Sequence, residues 1–183
     1  MRSLVGAALA LLLVACGSSG STSQSSPTPS KRAAITSSID ACKLVTASDA
    51  STALGVTMTA FGQSGGAPVC IYQGQLADGT SLSVFVYAQA YADASTADAV
   101  SPDQMAAAFR SQFSVSDAKA VPGIGDKAFE YTATSTSGGP NSSGVVIFVF
   151  KGNVVLLVAV SPTTDESKAE GLARIAVGNL PKS

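Results

Sequence analysis

Two apolar runs separated by a tight turn set the strongest limit on how this chain folds. Residues 145–150 read Val-Val-Ile-Phe-Val-Phe, Lys151-Gly152-Asn153 interrupts, and residues 154–160 continue as Val-Val-Leu-Leu-Val-Ala-Val. A strand with one wet face alternates apolar and polar side chains, whereas a run without alternation has to be covered on both faces. The two segments are therefore expected at the centre of a sheet, with other elements over both surfaces.

The flanking sequence supplies those elements. Residues 81–90 alternate, with Leu82, Val84, Val86 and Ala88 on one face and Phe85 and Tyr87 on the other. Residues 127–134 follow the turn Val121-Pro122-Gly123-Ile124-Gly125-Asp126 and put Phe129 and Tyr131 on one face. Residues 56–61 and 69–72 read as shorter strands, and Asp78-Gly79 marks a turn. A short helix is expected after Thr46, with Asp49 as its capping-box partner, Ala47, Ala50 and Leu54 on one face, and Gly55 as the stop. Residues 91–100 are an Ala/Asp-rich connection with helical turns. A second helix is expected to open with Ser101 as its cap, Pro102 at the first helical position and Gln104 as capping-box partner, and to carry Met105, Ala108, Phe109 and then Gln112 or Phe113 at helical spacing. A third helix starts at Thr163 with Glu166 as box partner, buries Leu172, Ile175 and Ala176, and ends at Gly178 before Pro181. The sum is a single α+β domain, a largely antiparallel β-sheet flanked by helices.

The N-terminus has a different character. Met1-Arg2 precedes an apolar stretch at 4–14, far short of the ~20 residues that span a bilayer, so it reads as a signal peptide. Leu13-Val14-Ala15-Cys16 followed by Gly17 has the form of a lipobox. Cleavage before Cys16 leaves a cysteine that carries the lipid; the alternative is an ordinary secretory peptide with Cys16 incidental. The expected division is a signal peptide at 1–15, a lipidated cysteine and disordered Ser/Pro-rich tether at 16–34, and the globular domain at 35–183. The tether has too few apolar side chains to offset its ordering entropy. The expected location is the extracytoplasmic face of the cell membrane.

Three cysteines occur. With Cys16 lipidated, Cys42 and Cys70 remain, and an even pair outside the cytoplasm reads as a disulfide. Two buried free thiols are the alternative.

Composition excludes several chemistries. Histidine is absent, which removes Ser-His-Asp and Cys-His catalysis and any imidazole metal site. A net charge of −1 leaves no basic face for nucleic acid. Gly123-Ile124-Gly125 leads into a strand rather than a helix, so it makes no phosphate loop, and Asp126 is expected to close the turn through its own backbone. Most carboxylates sit at caps and turns. Glu130 is mid-strand and is expected to face solvent. Asp93 and Asp98 lack the spacing of a calcium loop. No catalytic residue, metal or cofactor is expected. The candidate ligand groove is an aromatic set of Tyr72, Phe85, Tyr87, Phe129 and Tyr131, with ordinary packing as the alternative.

Two segments resemble a known family. Cys42-Lys43-Leu44-Val45-Thr46 runs into a small-residue helix ending Leu54-Gly55, with Cys70-Ile71-Tyr72 beyond; the second is Val121-Pro122-Gly123-Ile124-Gly125-Asp126-Lys127-Ala128-Phe129. With the lipobox and linker, these resemble actinobacterial lipoproteins of the domain of unknown function 3558 family. Asp40-Ala41-Cys42 departs from the Asp-Pro-Cys often found at the first site. The resemblance implies a Cys42–Cys70 pair, an envelope location and no established activity. The chain also looks like extracellular sensor domains of actinobacterial kinases. The functional expectation is a membrane-anchored, non-catalytic domain that binds an envelope protein or a small apolar ligand. The alternatives are a carrier of lipid or another hydrophobic molecule, and a cell-wall enzyme using a carboxylate pair.

Overall fold

A computed structural model describes residues 34–61, 66–110, 112–137 and 143–182. The signal peptide, Cys16 and the tether as far as residue 33 lie outside these residues, as do parts of the expected 62–68 turn and 134–143 loop, and the side chains of Ala108 and Phe109.

The two apolar runs become strands β7 (Ser143–Lys151) and β8 (Val154–Ser161), paired antiparallel with Phe148 opposite Leu157. β8 pairs on its other edge with β3 (Ser81–Ala90), and β7 with β6 (Lys127–Ser135). Beyond β3 lie β2 (Val69–Gln75) and β1 (Thr59–Ala60); beyond β6 lies β4 (Phe113–Val115), while β5 (Lys119–Ala120) also pairs with β6. The described strands form one eight-stranded antiparallel sheet in the order β1-β2-β3-β8-β7-β6-β4. The chain is a single α+β domain over these residues, and β7 and β8 are central, as their composition requires.

Both faces of the sheet are covered. On the first, Leu82, Val84, Val86, Ile147, Val149, Leu156 and Val158 pack beneath α1 (Ala41–Leu44), α2 (Ala47–Leu54) and α5 (Glu166–Gly178), which contribute Leu44, Leu54, Ala169, Leu172 and Ala176. On the second, Tyr131, Phe148, Phe150, Val155 and Leu157 pack with Ala97 of α3 (Ala94–Asp98) and Ala106 of α4 (Pro102–Phe109). Cys42 of α1 is bonded to Cys70 of β2, closing a loop of 28 residues and tying the first helix to the sheet.

Local rules account for most boundaries. The Thr46 hydroxyl accepts from the Asp49 N–H (3.1 Å) while the Asp49 carboxylate accepts from the Thr46 N–H (2.8 Å), a complete capping box. The Thr46 hydroxyl also donates to that carboxylate (2.7 Å), and this bond first, then the one from the Thr46 N–H, holds the Asp49 carboxyl below its ordinary value. Gly55 ends α2 at φ +72°. Gly125 is required for a different reason: a Cβ there would lie 2.5 Å from Val149 Cγ1 and 2.6 Å from the Phe150 carbonyl.

Four expectations need correction. The 56–61 strand contracts to Thr59–Ala60, at the sheet edge. The second helix stops at Phe109, and Phe113 pairs with Ser135 in β4, because Gln112 and Thr136 already engage through the backbone (3.1 Å). Ser101 stands at the N-cap without a side-chain bond. Thr163 donates its N–H to the Ser143 carbonyl (3.0 Å), prolonging the strand contact, so α5 is capped by Asp165 instead.

Replacing both Cys42 and Cys70 by Ala is expected to lower the unfolding free energy by about 3–4 kcal/mol, the cost of freeing the closed loop in the unfolded chain. Urea titration measures it. Alkylation of the denatured, unreduced chain should label neither cysteine, and labelling of both would contradict the bond.

Candidate functional site

The five aromatics divide between the two sheet faces. Tyr72 belongs to the first-face core, where its hydroxyl donates to the Val45 carbonyl and, at 3.4 Å, approaches that of Cys42. It satisfies carbonyls at the end of α1, and burial is the main reason its phenol titrates above the ordinary value. Phe85, Tyr87, Phe129 and Tyr131 share the second face. Phe129 meets Phe150 edge-on at 6.1 Å, and Tyr131 meets Phe148 at 5.6 Å. The Tyr87 hydroxyl bonds Gln89 Oε1 at 3.2 Å. Of the five, Tyr131 lines the cavity found on this face.

That cavity, about 260 Å³ in volume, lies on the second face between β3, β8, β7, β6, β4 and α4. Its origin is legible in the strand register. Toward the β7–β8 turn, one row across the sheet is large: Tyr87, Leu157, Phe148, Phe129. The next holds Phe85, Ala159, Val146 and Tyr131. The row after that is small throughout, with Ser83 opposite Ser161 and Ala133 opposite Gly144. Side chains two residues apart on a strand share a face, so a row of small residues beside rows of large ones leaves a trough. Ala106 of α4 and Phe113 and Val115 of β4 complete the walls. Gly144 cannot grow to fill it: a Cβ there would stand 2.8 Å from the Val160 carbonyl.

Besides Ser83 and Ser161, Tyr131 brings a polar group to the wall. Its hydroxyl is buried and has no hydrogen bond of ordinary geometry among the described residues. Burial first, then the neighbouring Asp103 carboxylate of α4, push the phenol up to about 12, with Arg110 opposing. At neutral pH it is an uncharged donor.

Glu130 contradicts its expected solvent-facing position. It is 2% exposed, because it shares the face of Ala128, which belongs to the first-face core. Lys119 Nζ lies 3.6 Å from Glu130 Oε1 and 2.5 Å from Glu166 Oε2. The second Glu130 oxygen has no partner among the described residues. Burial, then the nearby Glu166, raises the Glu130 carboxyl, whereas the Lys119 bond lowers Glu166. When the two carboxyls share a single proton, these directions favour Glu130 as its holder. Two carboxylates do meet here, but neither lines the cavity. Sequence reading missed the cluster because β5 and the N-terminus of α5 are brought to Glu130 only by the fold.

The remaining candidates have local partners. Asp93 caps α3 through the Thr96 N–H (2.7 Å), and Asp98 pairs with Lys127 (2.7 Å), whose ammonium also lies 4.4 Å from the centre of the Phe150 ring. Gly123-Ile124-Gly125 leads into β6 as a turn. Asp126 reaches beyond its own turn. Its carboxylate accepts from the Gly152 N–H (2.8 Å) and Lys151 Nζ (2.6 Å), clamping the β7–β8 turn. Among the described residues no group of three or more Asp, Glu, Cys or His side chains is placed to hold a metal, and no helix is long and apolar enough to cross a membrane. No known family, curated protein or solved structure matches the chain.

The Lys119–Glu130–Glu166 cluster predicts a pH dependence. A carboxyl raised above its ordinary 4.5 in the folded state contributes stability that is full below that value and is lost as pH rises through the folded one. Urea midpoints between about pH 4 and pH 7 should therefore fall less in Glu130→Gln than in the wild type. Parallel curves would contradict the assignment.

Proposed function

We propose that the chain is an extracytoplasmic lipoprotein, anchored through Cys16, whose domain binds a small apolar ligand without catalysing its conversion. The observation that carries the reading is the trough formed by Ser83, Ser161, Gly144 and Ala133, covered by α4 and bounded at the sheet edge by β4. Ligand sites are concave and mostly apolar, with few polar groups. The domain begins beside the β7–β8 turn, where Ile35 and Asn153 exchange hydrogen bonds of 2.9 and 2.8 Å. The trough lies at the far end of β8, about 24 Å away at ~3.4 Å per residue. Membership of the domain of unknown function 3558 family is part of the same reading, supported by the two quoted segments and the lipobox.

A lipid carrier differs from this reading only in handing its ligand on. A wall enzyme would draw on Glu130 and Glu166, which are bridged by Lys119 on the opposite face from the trough.

Native mass spectrometry of protein extracted from its own membrane in mild detergent tests both halves. The expected mass is that of a chain beginning at Cys16 with two or three acyl chains, together with a small-molecule adduct. A chain cut elsewhere and unlipidated contradicts the anchor; a lipidated chain that never carries or takes up an apolar molecule contradicts the ligand site. Cys16→Ser is expected to release the protein into the medium or leave it unprocessed. Retention equal to wild type would oppose the anchor.

A further inference from the structure

The shape and lining of the trough narrow the ligand to one chemical class. This inference rests on the reading of the cavity as a ligand site. We infer that the site takes a single unbranched hydrocarbon chain of about ten carbons with an uncharged, hydroxyl- or ester-type head.

Volume sets the size. A protein cavity of about 150 Å³ holds benzene, so at the same filling about 260 Å³ admits on the order of ten carbon atoms. Register sets the shape. The lining reaches from Ser83 on β3 across β8, β7 and β6 to Val115 on β4. Four inter-strand steps of ~4.8 Å make roughly 19 Å from wall to wall. A volume this small drawn over that distance is long and narrow; it suits an extended chain and not a compact cage of rings. Chemistry sets the head. Among the described residues no charged side chain lines the cavity, although Asp103 and Arg110 act on Tyr131 from outside it, and a charge brought into such a space would lose its hydration. Half-buried Ser83 and Ser161 stand together at the β3–β8 end, with the Ser83 hydroxyl 3.3 Å from the Ser161 carbonyl. They offer neutral donors and acceptors to a head that remains partly wet.

The test uses 1-alkanols of graded length and 1-adamantanol, a cage with the same carbon count as 1-decanol, titrated into the full chain in detergent-free buffer with Cys16 replaced by Ser. Binding is read by the chemical shifts of Ala and Val methyls. Affinity is expected to rise about fourfold per methylene and to level off near ten carbons, with 1-decanol well above 1-adamantanol and decanoate weaker at neutral pH. Ala133→Leu and Ala106→Leu, each checked for folding by circular dichroism, should weaken 1-decanol about tenfold or more. If a filled variant does not fold, the wild-type length series decides alone. Tighter binding of 1-adamantanol than of 1-decanol, or a rise that continues well past ten carbons, overturns the chain assignment and leaves the ligand site standing. Failure of every alcohol to bind removes the ligand site itself.

Discussion

Neither face of the β7–β8 hairpin tolerates water, and the rest of the fold follows from that constraint. Val154, Val155, Leu156, Leu157 and Val158 are consecutive and all buried, although alternate members point to opposite faces. Burying a side chain of this kind contributes about 1.5–3 kcal/mol, so leaving either face wet would cost several such increments. Two layers of helices are needed, one on each side. The hairpin turn also gathers the polar work of the domain. Asn153 is 4% exposed and bonds Ile35 at both backbone groups and the Tyr91 carbonyl at 2.6 Å, while Asp126 holds Gly152 and Lys151. The start of the domain, the exit of β3 and the turn before β6 therefore meet at one place.

The two covers are not equivalent. The first face is closed by α5, by α1 and α2, and by a disulfide that locks α1 onto β2. Among the described residues the second has two short helices, α3 and α4, and relies on aromatic rings for bulk. Rings fill the rows nearest the hairpin turn and stop at Tyr131. Beyond it the side chains shrink to Ser, Gly and Ala, and the short β4 supplies an edge rather than a lid. The cavity is thus a consequence of where large residues cease along β3, β6, β7 and β8. The small row contains a glycine that neighbouring backbone prevents from being enlarged.

Legibility in the sequence follows the range of the interactions. The central pair, the alternation of β3, the pairing of Phe129 with Tyr131 on one face, and the Thr46–Asp49 box all depend on neighbours a few residues apart, and each was readable. The Cys42–Cys70 bond followed from counting. Features that depend on distant segments were not readable. Nothing near Glu130 in sequence reveals that Lys119 and Glu166 will cover it, and nothing near Tyr72 reveals that its hydroxyl will meet the end of α1. The aromatic groove was half visible: four of its five members share a face, yet the free space lies beside them, in residues too small to draw notice. The alternation of Phe113 with Val115 was a signal for β4 that the helical spacing from Met105 obscured. Cys16 and its lipid remain a reading of the sequence alone.

The central claim is that the second face holds real, dry, reachable space beyond Tyr131. Xenon under pressure tests it directly, since apolar cavities of this size take up the gas while polar or collapsed ones do not. A crystal of the domain so treated should show xenon between Ala133, Ala159 and Ala106. Ordered water in that position, or side chains closed over it with no xenon bound, would contradict the claim.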